Sequence, residues 1–370
     1  MADESTETTT APTMSSNTAS ETILVGLDWG TNSSCVMAAT TENTELLTNE
    51  IIPSVVGYAK EGLLEGILPS DKTVLFGQEA LKYRIYCQLV RPLRNGVIDE
   101  VKSATDYAQH LKERLPEGSE FRAVIGVPAR ADEEARENVR TAIKGVFDKI
   151  ILIPEPFLAA LGYRDESRLG EEDYIDPVNN SLFVDIGAGS SDLCLVQGYY
   201  PQAEDQISIP YAGDAVDAEL GKEILQKYPD SDLSIHSVIE IKEKHSYAGE
   251  SNEDISIKKV IGGKPRELSI GYELGQCTLT LVDLIFEGIK QEVAKANPDS
   301  VEELLQNIVL TGGGSQIKNI ANVLQKLLED EGYEQPKVRI IGADYKEFVA
   351  KGAMKAARAA KERQWQTLID

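Results

Sequence analysis

The sequence predicts an α/β protein made of two related halves. Strand-like apolar runs alternate with amphipathic helical stretches along the chain. At 370 residues it exceeds the size at which single cores stop growing, so two domains are expected. A short pattern also occurs twice. Leu24-Val-Gly-Leu-Asp28-Trp-Gly30-Thr-Asn-Ser33-Ser34 aligns with Leu182-Phe-Val-Asp185-Ile-Gly187-Ala-Gly-Ser190-Ser191, one residue of slack preceding the Asp. Asp, Gly, Ser and Ser then match 157 residues apart.

The elements follow in order. Met1 to Glu21 has no Lys, no Arg and no apolar block, so 1–21 reads as an acidic disordered tail. It is neither a secretory signal nor an amphipathic anchor. Thr22–Leu27 and Ser34–Ala38 read as a hairpin around a Gly-Thr-Asn turn. Phe121–Val127 is a buried strand. From Asp132 a helix places Ala135, Val139, Ala142, Ile143 and Val146 on one face. Ile150–Ile153 is a strand, and 164–180 a linker or exposed loop. The second half opens with a strand at Ser181, followed by a hairpin around Gly198–Pro210. Helices are expected over Ala218–Lys227 and Ser237–Tyr247, short strands near Ile255, Ile257 and Val260, then a helix Cys277–Ala296. A strand Ile308–Leu310, a helix Gln316–Asp330, a strand Val338–Ile341 and a helix Tyr345–Arg363 complete the chain.

Composition limits function. Lys and Arg total 37 against 61 Asp and Glu, a net charge of −24, which repels nucleic acid and anionic membranes. No apolar run approaches the roughly 18–20 residues that span a bilayer, so no direct membrane insertion is expected. Cys35, Cys87, Cys194 and Cys277 are widely spaced, and His110, His236 and His245 are scattered. Reduced thiols in a cytoplasmic protein, without a zinc site, are the expectation.

The repeated turns carry the chemistry. A turn of Gly and small hydroxyl residues lets backbone N–H groups converge on an anion, and the preceding Asp offers oxygen to Mg²⁺. Either turn alone could be an ordinary Asp-x-Gly turn. Facing each other, the pair could hold a nucleoside triphosphate and its metal. Val309-Leu-Thr-Gly312-Gly313-Gly314-Ser315 supplies a third glycine signal between a strand and a helix. No P-loop, complete dinucleotide fingerprint, HExxH or GxSxG is present. Glu155, between Pro154 and Pro156, suits a helix N-terminus. Orientation of a water toward a γ-phosphate is its other reading.

Together these motifs resemble the actin, heat-shock chaperone and sugar-kinase ATPase superfamily. The Asp-x-Gly hairpins look like its two phosphate loops, Leu310-Thr-Gly-Gly-Gly its adenosine loop and Pro154-Glu-Pro its first connecting segment. Arg91-Pro-Leu-Arg-Asn-Gly-Val-Ile98, Ala212-Gly-Asp-Ala-Val-Asp217, Ile241-Lys-Glu-Lys244 and Val349-Ala-Lys-Gly-Ala353 are similar to segments of the bacterial actins. Val124-Ile-Gly-Val-Pro-Ala-Arg-Ala131, Glu155-Pro-Phe157, Val184-Asp-Ile-Gly-Ala-Gly189 and Leu305-Gln-Asn-Ile308 look like the magnetosome actins of the MamK family, with MreB next.

The resemblance implies a duplicated actin-like fold, with domain I over 22–180, including a small IB insertion at about 47–80. Domain II would span 181–343 with a IIB insertion at about 212–267, and 344–370 would return to domain I as a C-terminal helix. It also implies an ATPase that polymerises on ATP binding and turns over on hydrolysis, positioning magnetosome organelles. Its cofactors would be ATP and Mg²⁺, and its partners other copies of itself and magnetosome-associated proteins. Asp28 and Asp185 would stand near the metal, and Glu155 and Asp185 would organise the attacking water. Gly30, Thr31, Asn32, Gly187, Ala188, Gly189 and Ser190 would bind phosphate. Gly213, Lys242, Glu243, Gly312, Gly313, Gly314 and Ser315 would line the ribose and adenine pocket. Read alone, Lys242 and Glu243 belong to a solvated helix face. The rival expectations are a cell-shape actin, a metabolite kinase and a non-polymerising ATP switch. A chaperone would need a substrate domain after Asp370, and none is expected.

Overall fold

The structure, a computed structural model, describes residues 21–171, 174–249, 255–342 and 344–368. Apart from Glu21, the expected tail lies outside the described residues. Strands β1 (Thr22–Trp29) and β2 (Ser33–Thr40) form an antiparallel hairpin, and β3 (Thr48–Pro53) extends its edge. A small layer follows, with β4 (Val56–Ala59), β5 (Val74–Phe76), α1 (Gly77–Lys82) and β6 (Cys87–Val90) around Leu68, Leu75 and Ala80. The short pair β7 (Leu93–Arg94) and β8 (Val97–Ile98) leads to α2 (Val101–Lys112). Then β9 (Glu120–Val127) and β10 (Lys149–Pro154) run parallel to β1. Between them lies α3 (Glu133–Ile143), started by the Asp132 carboxylate, which accepts from the Ala135 N–H at 2.8 Å.

Helix α4 (Glu155–Tyr163) begins where β10 ends and carries the chain to the second half. There β11 (Ser181–Ile186) and β12 (Ser191–Val196) form the second hairpin, extended by β13 (Gln206–Ile209). The hairpin expected around Gly198–Pro210 is corrected. That stretch supplies a loop and one strand, which pairs with β12 after a 3-10 turn at Ala203–Asp205. Next come α5 (Gly213–Lys227), α6 (Ile235–His245), the hairpin β14 (Ser256–Ile261) and β15 (Lys264–Ser269), and α7 (Gly271–Val293). Helices α5 and α7 begin earlier than their apolar faces indicate. After α8 (Val301–Leu305) and β16 (Ile308–Thr311), the glycine run closes as a 3-10 turn at Gly313–Gln316. Helix α9 (Ile320–Glu331) therefore starts after Asn319, whose left-handed φ of 67° breaks the path. The expected start at Gln316 is wrong for that reason. β17 (Val338–Ile340) precedes α10 (Phe348–Ala359), and β18 (Gln366–Thr367) pairs with β10, so the last helix ends short of Arg363.

The two large sheets repeat one topology, β3-β2-β1-β9-β10 and β13-β12-β11-β16-β17. In each, an antiparallel hairpin meets two parallel strands joined through a helix, α3 or α9. Each half has its own apolar core. A third core, with α4 and α10 at its centre, takes Leu24 and Val124 from one sheet and Phe183 and Val309 from the other. The helices approach closely because Gly162 and Gly352 have no side chain. A Cβ at Gly352 would overlap the Leu158 carbonyl oxygen, and one at Gly162 the Phe348 carbonyl oxygen.

Candidate functional site

The duplicated hairpins point their turns at each other across a cavity of about 380 Å³, within the range of small-molecule sites. Asp28 and Asp185 hold matching positions near the ends of β1 and β11. The first turn is braced by the Ser54 hydroxyl, which donates to the Gly30 carbonyl at 2.6 Å. The second turn lies against the first domain, since a Cβ at Gly189 would come within 2.5 Å of the Gly96 nitrogen. Gly96 N–H in turn donates to Thr31 Oγ1 at 3.1 Å, so one loop touches both turns. The glycine run closes a third side. Gly312, at φ +77°, passes so near Asp185 that a Cβ would overlap its carboxylate.

Four carboxylates gather here: Asp28, Glu155, Asp185 and Asp192. Burial pushes Asp28 up to about 8, with the Asp185 charge adding to it. Burial, then Asp192, raises Asp185 to about 7. Glu155 is held well above the usual carboxylate range by burial and by the charges of Asp28, Asp185 and Asp192. Asp192 is raised by burial, against the pull of Ser190, Ser208 and the Ala129 N–H. Among the described residues no lysine or arginine offsets these charges. Hard oxygen donors in that state suit a dication with phosphate. Among the described residues no three His, Cys, Asp or Glu could hold a metal together. An ion would take the rest of its shell from water and phosphate, as Mg²⁺ does.

The far end of the cavity is built by α5 and α6. Lys242 Nζ donates to the Gly213 carbonyl at 2.8 Å and to Asp217 at 2.6 Å. Its side chain is 16% exposed and that of Asp217 is 3% exposed, so Lys242 is held inward instead of lying on a solvated face. Glu243 and Tyr345 stand beside it on the cavity wall. Every residue assigned to the site from sequence lines this cavity except Ser315. That side chain is buried, and its hydroxyl donates to the Gly312 carbonyl at 2.7 Å, closing the turn. Sequence reasoning gave no site role to Asp192 and Tyr345, and named Arg91, Asp214 and Asp217 only within segments similar to the bacterial actins; all five are on the cavity wall. For Asp192 a signal existed: a lone charge within the apolar strand Ser191-Asp-Leu-Cys-Leu-Val196.

The MreB/Mbl protein family model matches residues 22–364. The chain is similar to the actin-like protein MamK of Paramagnetospirillum magneticum strain AMB-1, at 28% identity over 94% of this chain and 96% of that one. A solved structure of the MamK double helical filament superposes with a TM-score of 0.81 at 28% identity, covering 92% of this chain and 100% of that one. For a non-polymerising mutant of MamK bound to AMPPNP the TM-score is 0.64, at the same identity, over 92% and 99%. No helix among the described residues is long and apolar enough to cross a membrane.

Proposed function

The chain belongs to the MreB/Mbl family, and from that premise we propose that it is an actin-like ATPase whose filaments assemble on ATP binding and weaken after hydrolysis. The observation that carries this reading is the convergence of two duplicated Asp-x-Gly turns and Glu155 on one cavity. The turns, from Gly30 to Asn32 and from Gly187 to Ser190, would bind the phosphates. Gly213, Lys242, Glu243 and Gly312–Gly314 would hold the nucleoside, and Ser315 would keep the glycine turn closed. Asp28 and Asp185 would hold Mg²⁺, which when bound supplies positive charge to the phosphate oxygens. Glu155, with Asp185, would orient the attacking water. Such catalysis is mostly positioning and electrostatics.

Self-assembly is supported by the likeness to the MamK filament, and the described conformation lies nearer to that form than to the non-polymerising mutant. In the cell the filament would run in the cytoplasm and organise magnetosomes with their associated proteins. The family match itself favours one second reading, a cell-shape actin. Light scattering with and without ATP and Mg²⁺, read beside phosphate release, tests the core proposal. Scattering should rise only with nucleotide. Nucleotide binding without any rise would leave a non-polymerising switch.

A further inference from the structure

We propose that Asp192 is a positioning residue that ties occupancy of the second phosphate turn to closure of the two domains. The inference rests on the ATPase reading above. It starts from an inequality between the two hairpins. Asp28 is paired across its hairpin with Cys35, whereas Asp185 is paired with Asp192. The same place in the repeat thus holds a thiol in one half and a carboxylate in the other. Cys35 is packed in the apolar core between the sheets. Asp192 is only 2% exposed, in a strand that is buried throughout. A buried carboxylate is costly unless its hydrogen bonds are made, so what it bonds is informative.

Its two oxygens serve the two domains. Oδ2 accepts from the Ser190 hydroxyl at 2.7 Å, inside the phosphate turn. Oδ1 accepts from the Ala129 N–H at 3.2 Å, in the turn after β9 of the first half. Ser190 has a single hydroxyl proton, so it can donate to Asp192 or to a phosphate oxygen, not to both. A phosphate that takes this proton removes one bond from Asp192 and leaves the carboxylate to the Ala129 N–H and the Ser208 hydroxyl. Gly189 rests on the Asn95–Gly96 backbone beside it, so the same turn meets the first domain at two points. Arrival or loss of phosphate is thereby passed to the domain interface.

Asp192→Ala and Asp192→Asn decide the matter, each measured for affinity toward a fluorescent ATP analogue, phosphate release and sedimentation with ATP. In Asp192→Ala, nucleotide affinity should stay near wild type. Turnover should fall about 10-fold or more, the factor expected from losing one hydrogen bond to a charged group, and ATP should no longer drive sedimentation. Asp192→Asn keeps an oxygen for the Ala129 N–H, but its amide nitrogen can only donate to Ser190 and no longer competes with phosphate for the Ser190 proton, so it should bind the analogue and still lose ATP-driven turnover and sedimentation. Normal turnover and assembly in Asp192→Ala would overturn the proposal. So would an Asp192→Asn protein whose turnover and ATP-driven sedimentation match wild type, since competition for the Ser190 proton would then carry no coupling. If Asp192→Ala does not fold, Asp192→Asn alone decides, and normal turnover and ATP-driven sedimentation in it overturn the proposal. A wild-type protein that neither turns over nor sediments with ATP refutes the ATPase reading instead, a different result.

Discussion

Glu155 occupies the first turn of α4, and Gly126 of β9 lies beside it, where a Cβ would come within 2.9 Å of Glu155 Cγ. The close fit fixes the carboxylate toward the cavity. If Glu155 orients water, Glu155→Ala leaves the phosphate turns whole. ATP should still bind and filaments should form, while phosphate release falls by about 10²-fold, the scale of a lost general base. A carboxylate serving only the helix terminus would instead leave turnover near normal and cost about 0.3–1 kcal/mol of stability. Lys242 gives a second residue-level outcome. Burial raises the Asp217 carboxyl and Lys242 opposes that rise. Lys242→Met should raise it further. A carboxyl raised above its unfolded value costs stability as the unfolded chain ionises while the folded group keeps its proton. The loss therefore begins above the unfolded value of about 3.9 and grows as pH rises, toward about 3 kcal/mol. Melting curves of wild type and variant between pH 5 and 8 should diverge with pH, and a constant gap would exclude Asp217 as the partner. The two Asp-x-Gly turns and Glu155 were legible as cavity residues because each is marked by a local pattern, a repeated turn and a Pro-Glu-Pro run. Asp192 left a signal as a lone charge in an apolar strand, but its role and that of Asp217 depend on Ala129 and Lys242, distant in the chain, and Ser315 was misplaced because a hydroxyl's direction is not written in its spacing.

Elements were legible where periodicity extends to their ends. Strands β1, β9, β10 and β11 and helix α3 lie where the apolar patterns put them. Some misses fall at boundaries, where α5 and α7 start on glycines and α9 after a left-handed Asn, and others are whole elements: β3 to β8, α1, α2 and α8 were not predicted, and the hairpin expected around Gly198–Pro210 supplies one strand. Nothing local reveals that α4 and α10 cross, because that contact joins residues nearly two hundred positions apart. The crossing makes its own prediction. Gly352→Ala places a methyl into backbone that cannot yield, and overpacking of that kind should cost about 3 kcal/mol. Gly275, within α7, has nothing within 4 Å of its would-be Cβ. Gly275→Ala should instead stabilise by about 0.5–1 kcal/mol through helix propensity. Thermal melts of the two proteins should shift in opposite directions, and equal shifts would refute the close-crossing account.

At the scale of the whole molecule, two half-folds of one topology share a third core, and the cavity lies between them. The duplication was visible in the repeat, but the shared core was not, since it draws single residues from many segments. The net charge of −24, in contrast, is fully legible and governs association more than folding. Protomers that add end to end bring like charges together over distances set by molecular size. The Debye length is about 30 Å at 0.01 M salt and about 8 Å at 0.15 M, so repulsion that reaches across a protomer at low salt is confined to the contact at physiological salt. Hydrophobic contacts at an interface change little over that range. Specific ion pairs across it would weaken with salt, the opposite sign. If net repulsion dominates, the fraction sedimenting with ATP should rise along a KCl series between these concentrations, with MgCl₂ and nucleotide held constant. Nucleotide affinity measured in the same series separates a change in assembly from a change in binding. Sedimentation that is equal or greater at the lowest salt would show that attractive pairs at the interface outweigh the charge of the whole molecule.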